Sequence, residues 1–167
     1  AQLQWAIAGR NLKKLEQLQS ELQELDSNSV DIVVARADDF PSLLQMTEQT
    51  QVLCSLVGPY LQYGSLLLKA CVQSKTHYCD ITGETHWIKE MLLRYERVAQ
   101  RTGARIVSFC AFDSIPSDLG VYFLQQESKS KFASFLPNVK MRVASIRGGV
   151  SGGTIASALG FIDALKD

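Results

Sequence analysis

The sequence predicts an α/β fold with a doubly wound parallel sheet. Five short apolar runs of strand character alternate with helical stretches up to residue 111. Strands that alternate with helices in this way imply right-handed crossovers and parallel pairing. The 167 residues, 46% of them hydrophobic, are enough for a domain with a substantial core.

The first half of the alternation follows from hydrophobic periodicity. A strand is predicted at residues 3–8, and the helix after it carries leucines at positions 12, 15, 18, 22 and 25. Spacings of three and four residues place these leucines on one helix face, against a core. A second strand at residues 30–35 and a helix at residues 41–48 follow.

The most apolar run covers residues 52–57, which predicts a central strand covered on both faces. After it we predict a helix, a short strand, a long helix and a last buried strand, at residues 63–74, 77–81, 87–99 and 105–111. Gly103 is the residue expected to end the long helix in the left-handed conformation.

The alternation changes after residue 111. A helix, a polar surface connection, a longer strand, a glycine-rich turn and a final helix are predicted at residues 118–125, 125–131, 138–147, 148–153 and from 154 onward. We therefore predict one domain over residues 1–125 and the start of an incomplete second α/β domain, for substrate binding or dimerisation, over residues 126–167. The glycine-rich turn lacks the G-x-G-x-x-G spacing of a phosphate-binding loop and is expected to be a crossover.

Composition disfavours several classes of protein. Seventeen basic residues balance seventeen acidic ones, so no overall field attracts nucleic acid. Every apolar run is far shorter than the ~20 residues that span a bilayer. The four cysteines form no C-x-x-C pair, which predicts small buried side chains in a reducing, intracellular compartment, without disulfides or a metal site.

Polar or glycine-containing segments follow the predicted strands, where an open parallel sheet binds its ligands. Arg10 stands where a dinucleotide fold that prefers NAD has an acidic residue for the ribose 2′-hydroxyl. A guanidinium suits a 2′-phosphate instead, which predicts NADP rather than NAD, with contacts from Arg10, Asn11, Lys13 and Asp38. A solvated basic start to the helix is the alternative interpretation.

Val57, Gly58, Pro59 and Tyr60 follow the most apolar strand, and we predict that they bind the cofactor. Glycine lets a backbone approach a ligand closely, and proline fixes the turn. A purely structural turn would explain the same residues.

Two acidic residues follow the next predicted strands. Glu84 and Asp113 are therefore our predicted catalytic residues, because two carboxylates in one crevice can move protons or bind a polar substrate. Helix capping by neighbouring threonine and serine residues is the alternative explanation for both segments.

Four segments in this order resemble the saccharopine dehydrogenase-like oxidoreductases, in the branch with the trans-acting enoyl reductases. They are WAIAGRNLKKL, VGPYLQYGSLLLKACVQSKTHYCDITGE, FDSIPSDLG and GGVSGGTIAS. The resemblance implies a Rossmann domain that binds NAD(P), then a mixed α/β domain, with hydride transfer as the reaction. It also implies that Arg10 lies near the 2′-phosphate, residues 57–59 along the cofactor, and Glu84 and Asp113 toward the nicotinamide or the substrate.

One departure from that family concerns the phosphate-binding loop. The family begins with a strand and a G-x-x-G-x-x-G loop, and no such segment precedes Trp5. We therefore expect that the fold lacks its first βα unit here, that the protein is longer at both ends, and that apolar strand edges are exposed.

The resemblance favours an NADP-dependent oxidoreductase acting on a small molecule that is lipid-like or derived from an amino acid. The alternative is a non-catalytic Rossmann-fold subunit with a structural or partner-binding role. Short-chain dehydrogenases are disfavoured because their Tyr-x-x-x-Lys pair does not occur. The apolar residues 66–68 and 132–136 leave three roles open, which are contact with a membrane or lipid surface, contact between copies of the chain, and core packing.

Overall fold

The computed structural model describes residues 3–25, 30–145, 147–149, 152 and 155. Strands and helices alternate along these residues. The elements are β1 (Ala6–Gly9), α1 (Leu12–Leu25), β2 (Asp31–Val34), α2 (Phe40–Thr47), β3 (Val52–Ser55), α3 (Tyr60–Ser74), β4 (His77–Asp80), α4 (Thr85–Thr102), β5 (Ile106–Val107) and α5 (Ile115–Phe132).

The strand pairs of the described structure are all parallel, as predicted. β1 pairs with β2 in one sheet, and β3, β4 and β5 form a second sheet in that order. A helix connects each strand to the next along the chain. The predicted α/β fold class with parallel, Rossmann-like strand–helix units is therefore confirmed.

β3 differs from its prediction as a central strand covered on both faces. It lies at one edge of its three-stranded sheet. Leu53 and Ser55 are buried, whereas Val52 is 56% exposed and Cys54 is exposed as well. An apolar run shows that residues avoid water, but it does not show how many sides of a strand other elements cover.

α5 differs from the prediction for residues 125–131. These residues were predicted as a surface connection and belong to the helix, while the division into two domains stays a prediction. Glutamine, glutamate and lysine are good helix formers, and Glu127 pairs with Lys131 one turn on at 2.9 Å. Polarity alone therefore does not distinguish an exposed helix from a connection.

The strand predicted at residues 138–147 does not form in the described part of this segment. Residues 138–145 lie outside the helices and strands. Alternating polarity specifies a strand only where a neighbouring strand accepts its backbone hydrogen bonds. The predicted turn at 148–153 is described at residues 148, 149 and 152 alone, and the predicted final helix at residue 155 alone.

One hydrophobic core joins α2, α3, β4 and α4. Its most deeply buried large side chains are Leu68, Tyr78 and Trp87, none more than 2% exposed. The indole N–H of Trp87 donates a hydrogen bond to Ser65 Oγ at 2.9 Å, which satisfies its polar atom inside the core. Within the described residues, every helix is too short or too polar to cross a bilayer.

The four cysteines differ in exposure. Cys71 is buried in α3, as predicted, and burial raises its pKa to about 12. Cys54 is exposed, so the prediction of a buried side chain is wrong for it. Cys79 is its register partner on β4, and burial, followed by the contact with Cys54, raises the pKa of Cys79 to about 11.

Candidate functional site

The carboxyl ends of β1 and β2 bring basic groups together. β1 ends at Gly9 and β2 ends at Val34, and these two residues are register partners, so Arg10 and Arg36 follow neighbouring strand ends. Ala35 N–H donates to the Gly9 carbonyl at 3.0 Å, which continues the ladder to this edge. The sequence pattern identified Arg10, which directly follows β1. It missed Arg36, which comes two residues after the end of β2.

Asp38 lies among these basic groups. Its carboxylate accepts hydrogen bonds from Arg36 Nε at 3.0 Å and from Arg36 Nη2 at 2.8 Å. These bonds lower the pKa of Asp38, and the positive charge of Arg10 contributes to the same shift. The guanidinium of Arg10 is therefore close enough to Asp38 for their charges to interact, and both residues are exposed to a ligand.

Asn11 has a structural contact of its own. Its Oδ1 accepts the backbone N–H of Lys14 at 3.1 Å, as an N-cap residue of α1 does. Lys13 is exposed in the first turn of the same helix. The structure thus places Arg10, Asn11, Lys13 and Asp38 at one edge of the β1–β2 sheet, with Asn11 engaged in capping.

The junction of β3 and α3 holds the second group of predicted cofactor-binding residues. Val57 is 51% exposed, while Gly58 and Pro59 are half-buried and joined by a cis peptide bond. α3 begins at Tyr60, three residues earlier than its periodicity indicates. The backbone of residues 57–59 is thus presented at the surface, at the carboxyl end of β3.

Tyr60 lies beneath this junction, with its side chain only 4% exposed. Its hydroxyl donates to the Ser55 carbonyl at 2.8 Å and accepts the Ile81 N–H at 3.4 Å, so it links the ends of β3 and β4. Burial raises the pKa of Tyr60 to about 12. Its phenol supports the junction from inside.

Glu84 lies at the start of α4 and is 5% exposed. Its two carboxylate oxygens accept the backbone N–H groups of Tyr60 at 2.8 Å and Leu61 at 2.9 Å. These are two of the four donors that a helix leaves without an intrahelical partner. Its own N–H donates to Thr82 Oγ1 at 3.0 Å, which fixes the turn before α4.

Asp80 is a buried carboxylate that the sequence reasoning missed. It is 0% exposed at the end of β4. Its Oδ1 accepts the N–H groups of Thr82 at 3.1 Å and Phe109 at 3.2 Å, and its Oδ2 accepts the Ser108 hydroxyl at 3.0 Å. Asp80 therefore ties the end of β4 to the residues after β5, where Phe109 has a φ of 62°.

Asp113 stands in a different environment from Glu84. It is exposed in the turn before α5, whereas Glu84 is buried against α3. The two predicted catalytic carboxylates thus differ in access to a substrate, and their catalytic roles stay predictions.

These features define a class, an α/β domain with a basic, ligand-accessible edge suited to a phosphorylated nucleotide cofactor. Residues 1–107 match the family model described as the saccharopine dehydrogenase NADP binding domain, and the chain belongs to that family. The predicted resemblance and the prediction of NADP as the cofactor are therefore confirmed. The guanidinium of Arg10 is exposed directly after β1.

Two curated relatives and one solved structure extend the comparison. A Mycobacterium tuberculosis protein provisionally named a trans-acting enoyl reductase is 41% identical over 155 residues, 92% of this chain and 36% of that protein. The lipid droplet localized protein of Caenorhabditis elegans is 39% identical over 127 residues, 74% of this chain and 30% of that protein. The chain thus spans about a third of the length of these relatives.

The solved structure is the apo saccharopine dehydrogenase (L-Glu forming) from Saccharomyces cerevisiae. It superposes with a TM-score of 0.57 at 16% identity, over 72% of this chain and 25% of that one. This similarity shows that the two chains share a fold.

Proposed function

We propose that this chain is the NADP-binding part of an oxidoreductase that exchanges hydride between the cofactor and a lipid-like substrate. The observation that carries the proposal is the pair of guanidinium groups, Arg10 and Arg36, after neighbouring strand ends of a domain in an NADP-binding family. The bound cofactor supplies or accepts the hydride. The residues of the chain bind it, orient it and shield the reacting atoms from water.

Arg10 is the residue we propose as the main contact of the 2′-phosphate. A guanidinium donates paired, charge-assisted hydrogen bonds to phosphate oxygens, and a ribose hydroxyl cannot offer the same charge. Arg36 already donates to Asp38, which offsets its charge, so Arg10 is the guanidinium that makes the direct contact. Asn11 and Lys13 complete this edge, and residues 57–59 line the cofactor farther along.

A lipid-like substrate is supported by the names of the two relatives, one an enoyl reductase and the other a lipid droplet protein. Apolar surface on α5 also supports it, because Tyr122 and Phe123 are more than 60% exposed. A groove of about 350 Å³ runs between α5 and residues 139–142 and combines apolar side chains with Lys140 and Arg142. Such a groove suits an acyl chain with an anionic end.

Exposed aromatic residues at the end of α5 and just after it support contact with a lipid surface. Phe132 and Phe135 are 73% and 57% exposed, whereas Leu67 and Leu68 are buried in the core. Of the two apolar segments for which surface contact and core packing were left open, residues 132–136 are therefore the better candidate for contact with a lipid surface.

The cofactor proposal is tested by titrating the intact protein with NADPH and NADH while thermal unfolding is followed. A ligand that binds the folded state raises the midpoint temperature of unfolding, and at equal concentration a tighter ligand raises it more. We expect NADPH to protect more than NADH, and R10D to abolish that preference. R97D is the matched control, because Arg97 is exposed on α4 and undergoes the same change of charge. Equal protection by both cofactors in the wild type would refute the role of Arg10.

The second candidate is a non-catalytic subunit that keeps the fold and binds a partner. The exposed apolar residues of α5 favour partner binding as much as they favour a lipid-like substrate. NADPH oxidation on addition of a 2-enoyl thioester would support the enzyme. Tight NADPH binding without turnover of such substrates would support the subunit.

A further inference from the structure

The contact of Glu84 with α3 joins two segments that are distant in sequence. Tyr60 and Leu61 lie 24 and 23 residues before Glu84, yet both of their amides donate to its carboxylate. A carboxylate at the N-terminus of a helix also interacts favourably with the helix dipole. The first two amides of α3 are thus bound by the residue that precedes α4.

The same start of α3 fixes the end of the loop that precedes it. Residues 57–59 run from the end of β3 to Tyr60, whose amide is bound by Glu84. The Tyr60 hydroxyl holds the Ser55 carbonyl at the other end of the loop. Both ends of this short loop are therefore held by hydrogen bonds with buried partners.

We propose that Glu84 is a positioning residue, which holds residues 57–59 in the conformation that contacts the cofactor. This inference rests on the proposed binding of NADP along that loop. Its carboxylate acts through the amides of α3 and does not itself exchange a proton with the substrate. Because it takes up two amides at the start of α3, the cofactor phosphates bind elsewhere, and the loop contacts an uncharged part of the cofactor.

The test compares NADPH binding by the intact wild-type protein with binding by E84Q, through the fluorescence of the bound nicotinamide. Glutamine keeps the volume and one carbonyl oxygen, but it places an NH₂ group against an amide donor. We expect the Kd for NADPH to rise about tenfold, as expected when a bond to a charged group is lost. We also expect a changed emission maximum of the bound cofactor, and faster hydrogen exchange at the amides of residues 60 and 61.

T76V is the control for a loss of stability alone. Thr76 is also buried and its hydroxyl donates to the Thr47 carbonyl, but it follows the C-terminal end of α3, whereas residues 57–59 precede that helix. We expect T76V to lower the unfolding midpoint while the Kd and the emission maximum stay unchanged. Equal changes of Kd in E84Q and T76V, or an unchanged Kd in E84Q, would overturn the positioning role.

Y60F tests the other held end of the same loop if E84Q does not fold. It keeps the ring and removes only the hydroxyl that holds Ser55 and Ile81. We expect a smaller rise in the Kd for NADPH, about threefold, and no change in Kd would count against the proposal. A wild type that does not bind NADPH would overturn the proposed function together with the inference, whereas normal NADPH binding by both variants would overturn the inference alone.

Discussion

Gly64 of α3 lies directly against the indole ring of Trp87 on α4. A Cβ atom at position 64 would stand only 2.7 Å from Trp87 Cζ2 and 3.1 Å from Cη2. The ring is fully buried and held by Ser65 and by Tyr60, whose ring centroid is 5.5 Å away. The absence of a side chain at Gly64 therefore sets how closely α3 and α4 pack, at the helix start that carries the candidate site.

We expect G64A to destabilise the protein by about 1–3 kcal/mol, because the buried indole cannot yield to the added methyl group. The free energy of unfolding in urea measures this. The control is G120A on α5, where an added Cβ meets no atom within 4 Å. Alanine favours the helix there, so G120A should be neutral or stabilising. Equal stability of G64A and wild type would contradict the close packing.

We expect D80N to cost about 2–4 kcal/mol of stability. The Ser108 hydroxyl can accept from an asparagine NH₂ group, but it then no longer donates to a charged acceptor, and the Thr82 and Phe109 N–H groups lose their charge-assisted bonds to the buried carboxylate. Urea unfolding measures the loss. D31N makes the same change at an exposed position of β2 and should stay within about 0.5 kcal/mol of wild type. A similar small effect of D80N would mean that its hydrogen bonds contribute little.

Stability should fall at high pH because of Tyr60. Burial raises its pKa to about 12 in the folded protein, above the usual tyrosine value of 10.0. The folded state therefore holds its proton where the unfolded state has lost it, so the contribution is complete below pH 10 and is lost as pH rises toward 12. We expect a loss of about 1 kcal/mol from this residue at pH 11. Unfolding at pH 8 and pH 11 should show a smaller loss in Y60F, and an equal loss would refute the assignment.

The thiols should react in the order of their exposure. Cys54 is exposed, while Cys71 is buried with a pKa of about 12, so its reactive thiolate is scarce and inaccessible. Brief labelling with a thiol reagent, followed by mass spectrometry of peptides, should modify Cys54 first and Cys71 only after denaturation. Labelling of Cys71 at the rate of Cys54 would show that α3 opens readily in the folded state.

The elements that could be predicted from sequence are those fixed by local patterns. The leucine spacing of α1 places this helix correctly, and Gly103 ends α4 in the left-handed conformation with a φ of 81°. The prediction that these leucines all face a core is wrong, because Leu15 is buried whereas Leu12, Leu18 and Leu25 are exposed. The order of strands and helices also follows from local periodicity. The polar edge could be predicted as well, because parallel strands end on the same side and Arg10 directly follows β1.

The features that were not predicted depend on residues distant in sequence. α3 begins at Tyr60 because Glu84 accepts its amide from the next helix, and no pattern within α3 indicates this. Arg36 gains its place beside Arg10 only when β1 and β2 pair. In the sequence, Asp80 looks like an ordinary polar residue at the end of a strand. Its contacts with the loop after β5 form only in the folded structure, so local patterns do not indicate that it is buried.

The turn from Asp80 to Glu84 works as a spacer of fixed length between two neighbours. Asp80, its first residue, binds the backbone after β5, and Glu84, its last residue, binds the start of α3. A single inserted or deleted residue would therefore break one of these two contacts. Evolution can lengthen a connection that touches only solvent, but this one can change in composition more easily than in size.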